Sequence, residues 1–127
     1  MPLVRIDLAA GGAAPRAGVI ADVVYRAMHD TLGVPTDDRF VIVNEQPRSA
    51  MQHTPSYLGI RYSPNLVIVQ ITLSQGRSVE QKQAFYRRLA DDLSAALSID
   101  RQDVFINLVE VVKENWSFGN GEAQYVT

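Results

Sequence analysis

Residues 67–73 read VIVQITL, and residues 2–8 read PLVRIDL. In both stretches the apolar side chains fall on alternate positions, the mark of a strand with one buried face. Val4, Ile6 and Leu8 are answered by Val69, Ile71 and Leu73, displaced by 65 residues. The pair that breaks the likeness is Pro2 against Val67.

Carried along the chain, the same displacement aligns Gly11 with Gly76, Leu32 with Leu97, Asp38 with Asp103, Phe40 with Phe105 and Glu45 with Glu110. The matches cluster in strands and the turns beside them, so a duplicated unit is expected, with pseudo-repeats at about 2–46 and 67–111. Between the strands lie helical patterns. Val19, Ile20, Val23, Val24, Ala27, Met28, Thr31 and Leu32 recur at three-and-four spacing, as do Phe85, Leu89, Leu93, Ala96 and Leu97. Ser78 followed by Gln81 predicts a capping box at the start of the second helix. RFVIVNE and VFINLVE close the two units.

Two right-handed βαβ units joined in one sheet predict an α/β fold with a four-stranded mixed sheet and both helices on one face. The other face is then bare, which predicts an oligomer whose sheets pack together. Residues 46–65 are rich in Pro and Ser and predict a loop with one short strand around Tyr57–Tyr62. The tail at 115–126 predicts a hairpin about Gly119-Asn-Gly121.

Composition bounds the function. With 127 residues, the chain has the size of one domain, 1–127, large enough for a core. Hydrophobic residues make up 46% and charged ones 20%, and the net charge is −2, so no basic footprint points to nucleic acid or an anionic membrane. There is no cysteine, and the two histidines, His29 and His53, have no ligand spacing, so neither disulfide, thiolate chemistry nor a transition-metal site is expected. His29 shares the polar side of helix one with Asp22 and Arg26 and is expected to be solvated. No apolar run reaches membrane-spanning length and no leader pattern opens the chain; it reads as cytoplasmic.

Residues present in one half alone are the candidates for chemistry. Removal of Met1 would leave Pro2 with a free secondary amine, a group that titrates near neutrality. Arg77 stands where the first half has Gly12, ahead of the Ser78 cap. A cation at a helix N-terminus is misplaced by roughly 0.3–1 kcal/mol, a conflict that a bound carboxylate would relieve. If the units are related by a pseudo-twofold, the start of strand one lies beside the end of strand three, near the Arg77 loop. Asp38 is a candidate that Asp103 duplicates, which favours a turn-building role and leaves a site role open for one copy. Trp116 and Phe118, two apart, share a face and suit either packing or the wall of a pocket.

MPL at the start, GVP-x-x-DRF at 33–40, GRS-x-EQK at 76–82 and NWSFG at 115–119 together resemble the tautomerase superfamily, in its malonate semialdehyde decarboxylase-like branch. The resemblance covers nearly the whole chain. It implies a homotrimer of duplicated βαβ units acting on a small carboxylate substrate, without a cofactor. It also implies roles: Pro2 as catalytic amine, Arg77 as carboxylate clamp, Asp38 as polar partner that orients substrate or activates water, and Trp116 and Phe118 as an apolar wall. Gln75 stands where the pattern has a second arginine; it brings a hydrogen bond to the substrate loop but no charge.

The activity that follows is a lyase decarboxylating a small 3-oxo acid such as malonate semialdehyde, with cationic Pro2 as acid or electrophile. Three alternatives stay open: a keto–enol tautomerase of 2-oxo acids such as phenylpyruvate, with neutral Pro2 as general base; a hydratase of unsaturated acids; and a non-catalytic oligomeric binding protein. A retained Met1 favours the last, since it turns the Pro2 nitrogen into an amide.

Overall fold

The computed structural model describes residues 1–11 and 16–126. Strand β1 (Leu3–Ala9) leads into helix α1 (Ala17–Leu32) and strand β2 (Val41–Gln46). After the connecting arm come β5 (Val67–Ser74), α2 (Val79–Leu97) and β6 (Val104–Val111). These strands form one four-stranded sheet in the order β2-β1-β5-β6. The outer pairs are parallel and the central pair β1–β5 is antiparallel, the mixed sheet that two joined βαβ units require.

The registers repeat with the sequence. Val4 pairs with Val41 in β2, and Val69 pairs with Ile106 in β6, both 65 residues further on. At the centre Val4 faces Ile71 and Ile6 faces Val69, so the pseudo-twofold passes between Arg5 and Gln70. That crossing sets the start of β1 against the end of β5, where Leu3 pairs with Thr72.

One sheet face carries both helices. Val4, Ile6 and Leu8 of β1 and Val67, Val69, Ile71 and Leu73 of β5 pack with Ile20, Val24, Ala27, Met28 and Leu32 of α1 and with Phe85, Leu89 and Leu93 of α2. Burial of each such side chain stabilises by about 1.5–3 kcal/mol. The helical patterns were nearly right; Val19 and Ala96 are exposed, and Ala90 takes a core place instead. The capping box is present: Ser78 Oγ accepts from the Gln81 N–H at 3.1 Å, and Gln81 Oε1 accepts from the Ser78 N–H at 2.9 Å.

The other face is less apolar than a simple bare sheet. Ile42, Phe105 and Val109 are exposed there, but Gln46 donates to Asp7 (3.0 Å) and Gln70 to Asn107 (3.0 Å) among them. Alternate residues on the strands carry these polar pairs because only the helix-facing set is sealed from water.

Two local expectations need correction. The arm contains two short strands, β3 (Ser56–Tyr57) and β4 (Ile60–Arg61), paired antiparallel across Leu58-Gly59, where one was expected. Both turn residues have positive φ (52° and 79°), the geometry that brings a chain straight back on itself. The tail does not form a hairpin ladder. Asn120 and Gly121 do make the tight turn, with positive φ and a bond from the Glu122 N–H to the Gly119 carbonyl. Beyond the turn the Gln124 side chain takes the ladder's place, accepting from the Phe118 N–H (2.9 Å) and donating to the Gly119 carbonyl (2.7 Å).

Candidate active site

The start of β1 is the focus. Pro2 is buried, and as the residue before the strand it owes the ladder no N–H. The amino group of Met1 lies 3.9 Å from Asp38 Oδ2. Burial pushes this amine below its ordinary value of 8.0; the Asp38 carboxylate pulls it back up and the Arg77 guanidinium pushes it down. The chain's first amine therefore lies within the fields of both charged candidates.

Asp38 resolves the ambiguity that Asp103 created. Both precede the second strand of their unit, and each backbone N–H closes a turn, Asp38 onto Pro35 and Asp103 onto Asp100. Their carboxylates differ. Asp103 is buried and accepts from the Ser63 N–H (2.8 Å) and hydroxyl (2.5 Å), one on each oxygen. Asp38 is nearly buried too, yet its Oδ1 has no hydrogen-bond partner among the described residues. An unpaired buried acceptor costs about 1–3 kcal/mol unless a ligand or mobile proton completes it. The duplicated position is structural in one half and left open in the other.

Arg77 is held differently from the expectation. Its Nε donates to the Leu32 carbonyl (3.0 Å) and its Nη1 to the Ser74 carbonyl (3.2 Å). Leu32 ends α1, where Gly33 at φ 69° caps the helix and leaves carbonyls facing outward. The cation thus rests on the negative end of α1, and the conflict at the N-terminus of α2 is relieved within the fold. These bonds use two of the five guanidinium donors.

Trp116 stacks on Phe118 with ring centroids 5.4 Å apart, and Phe118 meets Tyr125 edge-on at 4.8 Å. The shared face was expected from a strand; the tail achieves it in extended backbone without a ladder. A cavity of about 220 Å³ at this end of the sheet is lined by Met1, Pro2, Leu3, Phe40, Trp116, Ser117 and Phe118. Gln75 is exposed, with its backbone N–H donating to the Val111 carbonyl, and does not line this cavity. Among the described residues, no cluster of His, Asp and Glu could hold a metal ion.

Residues 38–119 match a family described as tautomerase enzyme, and residues 2–61 match a second family of the same description. The chain belongs to the tautomerase superfamily. Two Bacillus subtilis (strain 168) proteins described as probable tautomerases are similar along their whole length. YrdN is 38% identical, with 100% of this chain and 98% of the relative covered, and YusQ is 34% identical, with 99% of each covered.

Among solved structures, the FG41 malonate semialdehyde decarboxylase inhibited by 3-bromopropiolate superposes with a TM-score of 0.88 at 35% identity, covering 98% of this chain and 94% of that one. A malonate semialdehyde decarboxylase studied for its decarboxylase and hydratase activities gives 0.87 at 32%, covering 97% and 95%. A fused 4-OT solved as an asymmetric trimer shares the fold, with a TM-score of 0.75 at 21% identity over 96% of both chains. This tautomerase-superfamily chain is an enzyme of the malonate semialdehyde decarboxylase-like branch, a lyase or isomerase, so the non-catalytic alternative gives way.

Sequence reasoning missed two residues of this candidate site. Phe40, matched by Phe105 in the repeat, does not stand out in the sequence, yet it lines the cavity. Ser74 accepts the Trp116 indole N–H on its hydroxyl at 3.1 Å. The pairing of Arg77 with Gly12 also misled: Gly12 lies outside the described residues, and the equivalent contact is made by Arg16. Its Nη2 donates to the Ala9 carbonyl (3.1 Å), 65 residues before Ser74. What separates the halves is the filling opposite the arginine, not its presence. Around Arg16, a cleft of about 450 Å³ has Ser63 and the saturated Asp103 in its lining.

Proposed function

We propose that this enzyme is a cofactor-independent decarboxylase of a small 3-oxo acid such as malonate semialdehyde, with Pro2 as its catalytic amine once Met1 is removed. The observation that carries the reading is the meeting of the β1 start, the open Asp38 carboxylate and the field of Arg77 beside an aromatic cavity. Similarity to two malonate semialdehyde decarboxylases supports the choice of reaction.

Loss of CO₂ from a 3-oxo acid leaves an electron pair on carbon, and the carbonyl must take it up. Protonated Pro2 supplies that sink by a hydrogen bond to the carbonyl oxygen. Alternatively its neutral form condenses with the carbonyl, releasing water, to give an iminium ion. Arg77 holds the carboxylate so that the breaking C–C bond stands perpendicular to the carbonyl plane. As the bond breaks, its electron pair passes to the carbonyl oxygen to give an enolate, or to the iminium nitrogen to give a neutral enamine. Either is then protonated at carbon, and on the second route water hydrolyses the resulting iminium and frees Pro2. Trp116, Phe118 and Phe40 keep the site poor in water and favour loss of the carboxylate charge. Asp38 takes the hydrogen bond that fixes the amine or a water.

A second reading has its own observation. Burial lowers the Met1 amine at the head of β1, and a like burial of the Pro2 amine would favour a neutral base and therefore 2-oxo acid tautomerisation. Gln75, exposed and uncharged, leaves Arg77 as the carboxylate clamp in either case. Assembly as a homotrimer belongs to the same reading, supported by Ile42, Phe105 and Val109 on the open sheet face and by the trimeric fused 4-OT.

The test is turnover of 3-oxopropanoate and of phenylpyruvate enol by wild type and Pro2→Ala, together with intact mass. Decarboxylation lost in Pro2→Ala supports the proposal. Turnover of the enol alone selects the second reading, and retention of Met1 on protein from its own host overturns both.

A further inference from the structure

Outside the cavity, the outer face of α1 carries a cluster that the chemistry above does not use. Tyr25 and His29, one turn apart, stack with centroids 6.4 Å apart and planes at 19°. The Tyr25 hydroxyl donates to the Pro35 carbonyl at 3.2 Å. His29 Nδ1 lies 2.6 Å from the Val34 carbonyl; a carbonyl only accepts, so Nδ1 carries the proton. Arg39 lies over the Tyr25 ring, 5.3 Å from its centroid, and binds Asp22 at 2.5 Å. His29 is exposed, as expected, but it is not merely solvated.

These contacts tie one segment, 34–39, to one helix face, and Asp38 sits inside it. The Pro35 carbonyl that Tyr25 binds also accepts the Asp38 N–H at 3.2 Å, so the tether reaches the Asp38 backbone through a single shared atom. The second half ties the equivalent turn to α2 by other side chains, through an ion pair of Arg101 with Asp91. Ala90 and Ser94 stand where Tyr25 and His29 would repeat, and Val104 stands for Arg39. There the equivalent carboxylate, Asp103, is fixed directly by Ser63. Where the carboxylate is held by Ser63, the turn carries one exposed ion pair; where it is open, the turn is held by the Tyr25 and His29 bonds to its backbone.

We propose that Tyr25 and His29 are positioning residues, holding the 34–38 turn so that the Asp38 carboxylate faces the amine at the start of β1. Asp38 lacks the bonds that would fix it from its own end, so its placement depends on the backbone that carries it. This rests on the site reading above, and the test keeps the two apart.

The test is an NMR titration of the N-terminal amine in substrate-free protein, with kcat and KM measured in parallel. On the Met1 amine burial acts first, Asp38 raises it and Arg77 lowers it; the same two charges are expected to act on the Pro2 amine once Met1 is removed. In the double variant Tyr25→Phe/His29→Ala the carboxylate drifts, so the amine titrates lower than in wild type. Turnover falls by about tenfold in kcat/KM, as small misplacements of a reacting group do. His29→Gln, which keeps an N–H donor, stays near wild type. Added to Asp38→Asn, the double variant changes the titration no further.

An unmoved titration in a folded double variant overturns the proposal, as does an equal shift in the Asp38→Asn background. The titration needs no turnover, so a wild type inactive on both substrates would sink the functional reading and leave this result standing.

Discussion

The indole of Trp116 donates to the hydroxyl of Ser74, while the carbonyl of the same serine accepts from Arg77. The aromatic wall and the proposed carboxylate clamp are thus anchored on one residue at the end of β5. Ser74→Ala separates the two, because the backbone bond to Arg77 survives the loss of the hydroxyl. The expected outcome is a raised KM and a stability loss of only about 1 kcal/mol. Trp116 is the single tryptophan, so its fluorescence reports the released indole directly.

Asp38 and Asp103 should divide between activity and stability. Asp103→Ala strands two Ser63 donors and is expected to cost about 1–3 kcal/mol in urea unfolding, with activity little altered in the folded fraction. Asp38→Ala removes a carboxylate already short of a partner, so stability changes by less than about 1 kcal/mol. Activity should fall by about 100-fold, the scale of a lost acid–base partner. The reverse pattern would reassign the two residues.

Arg77→Ala removes a charge-assisted grip, which is expected to cost about 1.5–3 kcal/mol, or roughly 10- to 150-fold in kcat/KM. The loss should be confined to substrates with a free carboxylate. An ester of the same 3-oxo acid cannot lose CO₂, so it serves as a binding control: as a competitive inhibitor it should act on wild type and variant alike.

In protein that keeps Met1, the amine sits below its ordinary value of 8.0, chiefly through burial. Between its folded value and 8.0 the unfolded chain binds more protons, so this group makes stability rise with pH across that window. The stabilising contribution is present above the unfolded value and lost as pH falls through the folded one. Asp38→Asn should lower the amine further and Arg77→Ala should raise it, both followed by NMR titration. Opposite signs would mean that these side chains do not face the amine.

Much of the fold was legible because its determinants are local. Alternation in VIVQITL identifies β5, three-and-four spacing identifies the helices, and Ser78 with Gln81 caps α2 through atoms three residues apart. The tail was misread for a related reason: Asn120 and Gly121 specify a turn locally, but a ladder needs partners on both sides, and Gln124 supplied a side chain instead. Candidate site residues were legible where one half broke the repeat, as Pro2 does. Phe40 was not, because a matched pair conceals a difference in surroundings.

By itself, then, the sequence determined two strand–helix–strand units, the buried face of each element and a proline directly behind Met1 at the head of the first strand. Only the tertiary structure decided which of two matching aspartates is left unsatisfied, that Arg16 and Arg77 make the same contact in opposite halves, and that Arg77 rests on the end of α1. The physical reason is distance along the chain. Periodicity and capping depend on near neighbours, but saturation of a carboxylate depends on groups such as Ser63 and Asp103, forty residues apart and brought together by the fold.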